Sequence, residues 1–184
     1  MKYVVSLDTT PEWLVQRESI TALSVERIDQ VYLDDGIRLR HSESLHSENS
    51  DNYVMAYKRR TTMGPIEIEA DIIRDDFDAL LEHATRRLDK HRHTFLEMGT
   101  HLLPELDIYR DEADAIFLMV IEVEYETTEI DWLDDIEAIL GDRIVAKIDP
   151  ATDDRLSNFK LADRAYAKST AAEIYANPTY QRAA

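Results

Sequence analysis

Along five stretches of the chain, charged residues recur at every second position while the residues between them are mostly apolar or aromatic. Arg38-x-Arg40, Lys58-x-Arg60, Glu67-x-Glu69, Lys90-x-Arg92 and Glu122-x-Glu124-x-Glu126 share this period of two, which in a β-strand puts each set on one face. Ile37 and Leu39, Met55 and Tyr57, Ile66 and Ile68, and Ile121, Val123 and Tyr125 then fall on the opposite face. An ordinary half-buried sheet also alternates, but it scatters the signs of its charges. Here the signs are sorted by strand, into three basic pairs, one acidic pair and one acidic triplet. Bases facing acids across strands predict a closed barrel with a charged interior, suited to a polyanion held by bases and metal ions.

The remaining pattern fills in the elements around these strands. Met1 to Leu7 reads as a short strand, and Asp8-Thr9-Thr10-Pro11 as the start of a short helix through Trp13 and Leu14. Ile20 to Leu33 is extended, Asp34-Asp35-Gly36 signals a hairpin into Ile37 to Arg40, and His41 to Asn52 reads as a loop. Tyr53 to Arg60 and Pro65 to Ile73 form a second hairpin. Asp75 to Leu88 has the clearest helical stripe, made by Phe77, Leu80, Leu81, Ala84 and Leu88. Strands resume at Lys90 to Leu96, Glu105 to Arg110 and Ala115 to Glu126. A short helix marked by Leu133, Ile136, Ile139 and Leu140 is capped by Gly141. Arg143 to Ile148 is a last strand, and the chain is helical from Asp153 to about Tyr175.

These elements predict an α+β domain: an antiparallel eight-stranded, tunnel-like β-barrel with a charged lumen and covering helices. It spans residues 1–176, with a frayed tail at 177–184. The helices at 75–88, 132–140 and 153–175 cover the apolar outer faces of the strands. An ordinary small barrel is filled by apolar side chains. A charged lumen needs a ligand, metal or water instead, because unpaired buried charge is costly.

Composition narrows the partners. The 184 residues include 21 Lys and Arg against 38 Asp and Glu, a formal charge of −17. That balance argues against a nucleic-acid or anionic-membrane surface, and means that only a local basic lining could attract a phosphate ligand. No cysteine is present, so disulfide scaffolds, thiol catalysis and Cys-ligated zinc are excluded. No stretch resembles a signal peptide or reaches membrane-spanning length, which makes the cytoplasm the default location. The expected partner is a small-molecule triphosphate or polyphosphate, with no nucleic acid and no membrane; a homodimer is compatible with the sequence.

At these residues the sequence resembles the CYTH superfamily, the triphosphate tunnel metalloenzymes that include thiamine triphosphatases, inorganic triphosphatases and class IV adenylyl cyclases. Gln30-x-Tyr32-Leu33 is similar to the family's strand before the first basic pair, and Arg38-x-Arg40 to that pair. Tyr57-Lys58, Glu67-x-Glu69 and Lys90-x-Arg92 follow in family order. Glu105-Leu-Asp107-Ile-Tyr109 resembles the acidic strand, Glu122-Val-Glu124-Tyr-Glu126 the carboxyl-side triplet, and Asn158-Phe-Lys-Leu161-Ala162 the closing helix. One departure bears on catalysis. The family opens with Glu-x-Glu-x-Lys, which helps hold the metal and the substrate, whereas this chain has Lys2-Tyr-Val4-Val-Ser6.

Arg38, Arg40, Lys58, Arg60, Lys90 and Arg92 are the candidate phosphate ligands, since guanidinium forks and ammonium groups together can grip successive phosphates. A solvated strand face with cross-strand ion pairs is the plain alternative. Glu122, Glu124 and Glu126 are the candidate ligands for Mg²⁺ or Mn²⁺, hard ions that take carboxylate and phosphate oxygens. Glu67, Glu69 and Asp107 are candidate catalytic residues, holding an attacking water, fixing the bases or accepting a proton, with structural pairing as the alternative. The six histidines read as surface or loop residues. The leading expectation is metal-dependent hydrolysis of inorganic tripolyphosphate or a small organic triphosphate. The missing first-strand acids motivate the alternative, a non-catalytic binding protein for a phosphorylated ligand on the same fold. Cyclisation of ATP ranks last, because no base-recognition feature stands out.

Overall fold

The computed structural model describes residues 1–16, 20–33, 36–46, 51–62, 64–97, 104–123 and 131–179. Its strands are β1 (Lys2–Val5), β2 (Ile20–Tyr32), β3 (Ile37–Ser44), β4 (Asn52–Thr61), β5 (Gly64–Asp71), β6 (Arg86–Glu97), β7 (Glu105–Arg110), β8 (Ile116–Glu122) and β9 (Ile144–Ile148). The helices are α1 (Pro11–Val15), α2 (Arg74–Leu81), α3 (Asp131–Leu140), α4 (Asn158–Leu161) and α5 (Arg164–Ala176). All nine strands join one antiparallel sheet in the order β5-β4-β3-β2-β6-β7-β8-β1-β9. No helix among the described residues is long and apolar enough to cross a membrane.

The register carries the period-two pattern across the sheet. Arg38 lies opposite Ala56, Lys90 opposite Tyr109, Tyr109 opposite Leu118, and Lys2 opposite Glu122. Lys2, Arg38, Arg40, Lys58, Lys90, Arg92 and Glu122 therefore share one face. The opposite face has two covered apolar regions, separated by the charged Arg27, Asp29, Arg87 and Asp89 of β2 and β6. Val31, Leu39 and Phe77 form a core under α2. Tyr3, Val5, Leu106, Ile108, Met119 and Ile121 pack with Leu14 of α1 and Ile136 and Leu140 of α3.

The eight-stranded closed barrel is not what the chain builds. Among the described residues there are nine strands, and β5 and β9 remain the two edges of an open sheet. The reason lies in the C-terminal helices, which cover the charged face rather than the outer one. Over β8, β1 and β9 that face turns apolar through Leu118, Val120, Val4, Ala146 and Ile148, and Leu161, Ala167, Ala171 and Ile174 of α4 and α5 pack there. With helices inside the curve, the edges need not meet to bury it. The outer residues of the edge strand go uncovered, and Ile66 and Ile68 are exposed.

Three local elements also differ from the pattern. α2 ends at Leu81, not Leu88, because Thr85 donates its N–H to the Tyr32 carbonyl and Arg86 to Leu88 pair with β2; ladder hydrogen bonds override the helical stripe. His41 to Ser44 continue β3 instead of looping, held by the unusually long β2. The C-terminal helix is broken in two, with Ser157 capping α4 and Asp163 capping α5 through the Tyr166 N–H. By contrast α1 starts where the sequence places it, its Thr10 side chain accepting from the Trp13 N–H and Pro11 in the first turn.

Gly36 closes the β2–β3 hairpin with φ of +82°, and a Cβ there would lie 3.0 Å from the Lys58 carbonyl oxygen. Gly36→Ala should therefore cost about 1–3 kcal/mol, from left-handed backbone strain plus this contact. A chemical-denaturation midpoint unchanged from wild type would contradict it.

Candidate functional site

The charged face curves around a cavity of about 250 Å³. Its charged lining is five bases, Arg38, Arg40, Lys58, Lys90 and Arg92, against three acids, Glu69, Glu105 and Glu122. In a chain of net charge −17, this is a local reversal of sign. Gln30, fully buried on β2, and Asn158 at the start of α4 add neutral polar groups.

At its floor sits a buried ion cluster. The side chains of Lys90 and Asp107 are 1% and 2% exposed and ion-paired. Arg92 grips the same carboxylate with two bonds, Nε to Oδ1 at 2.7 Å and Nη2 to Oδ2 at 2.9 Å. Cross-strand register makes this geometry, since Arg92 lies directly opposite Asp107 and Lys90 opposite Tyr109 two residues along. Burial favours the neutral acid, but Lys90 and Arg92 outweigh it and hold the Asp107 carboxyl below its ordinary 3.8. Burial also pulls the Lys90 ammonium below its ordinary 10.5, and Asp107 only partly restores it. The difference follows from the neighbours: Asp107 is held by two cations, whereas the pull of Asp107 and Glu122 on Lys90 is opposed by a second cation, Arg92. Glu105, on the same strand as Asp107, is pushed up by burial, against the pull of Arg92.

The rest of the lining divides sharply. Glu69 pairs with Arg38, Glu105 with Arg92, and Glu122 with Lys2 at 3.0 Å, its second oxygen lying 3.6 Å from Arg92. Every acid of the described lining is thus matched by a cation of the chain itself. Arg40 is different: it has no ion pair among the described residues, and its Nε is buried without a hydrogen-bond partner, as is that of Arg38. A half-buried guanidinium left in this state is poised for an anion.

The candidate residues are distributed as follows. Arg38, Arg40, Lys58, Lys90, Arg92, Glu69 and Glu122 line the cavity. Asp107 lies beneath the lining, and Glu67 lies outside it, exposed and paired with Lys58. The Arg60 backbone belongs to β4, with its side chain outside the described part, as are Glu124 and Glu126 entirely. His91 and His93 point away from the cavity, on the face of Leu106 and Ile108. Two members were not among the candidates. Glu105 could have been read from its period-two relation to Asp107. Lys2 stood out only as a departure from an acidic motif, yet its Nζ donates to the Leu156 carbonyl at 3.1 Å and pairs with Glu122.

Lys2 decides how a divalent metal would fit. The Glu122 carboxylate is already neutralised by a nearly buried ammonium, and no group of three or more acidic or histidine side chains arranged for a metal exists among the described residues. Placing Mg²⁺ or Mn²⁺ on Glu122 would leave Lys2 beside a dication. The described donor set does not fit such an ion.

No family profile and no curated protein matches the chain. Among solved structures, a Pyrococcus horikoshii protein is similar at 19% identity and a TM-score of 0.49, over 77% of this chain and 90% of that one. A Bacillus halodurans protein described as a candidate adenylate cyclase is similar at 13% identity and 0.46, over 83% and 94%. The Schizosaccharomyces pombe Mediator head module matches at 8% identity and 0.44, over 78% and 94%. Likenesses this distant, to proteins of such different description, do not single out a function.

Proposed function

We propose that the charged cavity binds a linear polyphosphate, either inorganic tripolyphosphate or the triphosphate tail of a small organic molecule, without a protein-held metal. One observation carries this reading: every described acid of the lining has a cation partner, while Arg40 has no carboxylate partner among the described residues. An incoming anion would satisfy Arg40 and the spare donors of Arg38 and Lys58 without displacing a metal. The spread of the bases favours an extended anion. Lys58 on β4 and Lys90 on β6 are three strand spacings apart, roughly 14 Å on a flat sheet at about 4.8 Å per strand and less on a curved one. The volume also favours a compact ligand, since about 250 Å³ lies below the ~300–1,000 Å³ of sites that enclose drug-sized molecules. The resemblance to triphosphate tunnel proteins points to the same ligand.

A thermal melt tests the proposal. Tripolyphosphate at about 100 times its Kd adds roughly 2.7 kcal/mol of stability, which for a chain of this size raises the Tm by about 5–10 °C. The rise should be equal with chelator and with Mg²⁺, and smaller with orthophosphate. No shift at millimolar tripolyphosphate, with or without metal, would sink it.

The carboxyl-side triplet at Glu122, Glu124 and Glu126 favours a second reading, metal-dependent hydrolysis of the same ligand. It requires Lys2 to release Glu122. Phosphate release from tripolyphosphate that depends on Mg²⁺ or Mn²⁺ and is lost in Glu122→Gln would establish it.

A further inference from the structure

A larger cavity, about 330 Å³, lies on the other side of the Lys90–Tyr109 pair. The ladder between β6 and β7 stops at that pair, whereas β6 continues to pair with β2 as far as Arg86. Beyond Lys90 the two strands therefore part, and a cleft opens through the plane of the sheet. Arg27, Arg87 and Asp89 enter it from the face opposite the charged cavity, as the register of β2 with β6 requires. Leu88 and Tyr109 come from the cavity face, and Leu161 of α4 and Arg164 of α5 close the far side.

Two properties set this cleft apart from a solvated notch. Its floor is apolar and aromatic, made by Leu88, Leu161, Phe117 and the Tyr109 ring, whose centroid is 6.4 Å from that of Phe117. Its rim is basic, with four arginines against one aspartate among the lining side chains. Arg27 and Arg87 are bound to Asp89 and Asp29, and Arg164 to Glu112 at 2.8 Å, but all of these are largely exposed pairs or share one largely exposed partner. Such pairs are worth only about 0–1 kcal/mol, so a ligand can redirect their donors. Arg110 is the anchor. Its Nη1 donates to the Asp114 carbonyl at 2.8 Å and lies 3.5 Å from the highly exposed Asp114 carboxylate, while its Nε is buried with no hydrogen-bond partner among the described residues. Arg164 Nη2 donates to the Arg110 backbone carbonyl at 3.3 Å, which places the Arg164 guanidinium against the Arg110 main chain, and both side chains line the cleft.

The geometry points to a second binding site, separate from the charged cavity, for an amphipathic anion: a compact aryl or acyl group bearing a phosphate or carboxylate. The apolar body lies on Leu88, Leu161 and Phe117, and the anionic head meets Arg110 and Arg164. This site is independent of polyphosphate binding next door, because no base of that cavity lines the cleft. Buried apolar contact makes the aryl or acyl part necessary, and the paired state of all four arginines makes a bare anion a poor competitor.

Phenyl phosphate is a suitable probe, titrated into the full-length protein by calorimetry with saturating tripolyphosphate present. The expected result is saturable binding that is unchanged in Arg40→Gln, and at least tenfold weaker in both Arg110→Gln and Arg164→Gln. Orthophosphate and phenol should each bind at least tenfold more weakly than phenyl phosphate. Three results would overturn the proposal: no binding, loss of binding in Arg40→Gln, or orthophosphate binding as tightly as phenyl phosphate. Because Arg164 lies at the exposed start of α5, its variant keeps the test meaningful even where Arg110→Gln lowers stability.

Discussion

Asp107→Asn is expected to cost about 3–5 kcal/mol of folding stability, the usual penalty for breaking a buried ion pair from one side. Lys90 is buried and has Asp107 as its one ion-pair partner among the described residues, with Glu122 acting on it only from further away. Arg92 suffers less, because Glu105 and Glu122 remain beside it. Adding Lys90→Met to Asp107→Asn should recover much of the loss, since the pair is then replaced by groups that carry no buried charge. The same cluster sets a pH dependence. Asp107 has its pKa depressed in the folded state, so the stability it contributes is present above its ordinary 3.8 and is lost as pH falls below that value toward the folded pKa. Urea midpoints measured from pH 5 downward should thus decline more steeply in wild type than in Asp107→Asn. Parallel declines, or a single-variant cost below about 1 kcal/mol, would show that Asp107 is not the counterion holding Lys90.

Arg40→Gln should do the reverse, sparing the fold and damaging the ligand site. Arg40 has no ion pair to lose among the described residues and leaves a buried Nε unpaired, in a lining that already has more bases than acids. The ligand-free Tm should stay constant or rise. Affinity for tripolyphosphate should fall about ten- to a hundredfold, corresponding to about 1.5–3 kcal/mol for charge-assisted hydrogen bonds. Arg38→Gln makes the contrasting case, because it also abandons Glu69 and so perturbs both properties. A substantial fall in the ligand-free Tm of Arg40→Gln would mean that this side chain holds the fold together instead.

The period-two charge pattern located much of this arrangement because strand geometry is local: side chains two apart share a face wherever the strand goes. Arg38 with Arg40 and Lys90 with Arg92 needed no more than that. What the pattern lacked was long-range. Whether β5 and β9 meet depends on where the apolar side of α5 packs, and the same stripe of Ala167, Ala171 and Ile174 could have covered either face. The helix expected at 75–88 lost about its last two turns, with Arg86 to Leu88 pairing with β2 instead, and the polar His41 to Ser44 became strand through the same partner. Lys2 is the most informative miss. Its neighbours in sequence are apolar, and only the β1–β8 register, which sets it opposite Glu122, shows an ammonium occupying the place where carboxylates were sought.

On the proposed reading, this cavity takes a polyphosphate through its own cations. Calorimetric titration of tripolyphosphate into the wild-type protein in excess chelator, repeated with millimolar Mg²⁺, tests it most directly. The expected result is one-to-one binding in chelator, weakened by salt as charged contacts are screened and not tightened by Mg²⁺. Binding seen only when Mg²⁺ is present would contradict it, and would place a metal on Glu122 in spite of Lys2.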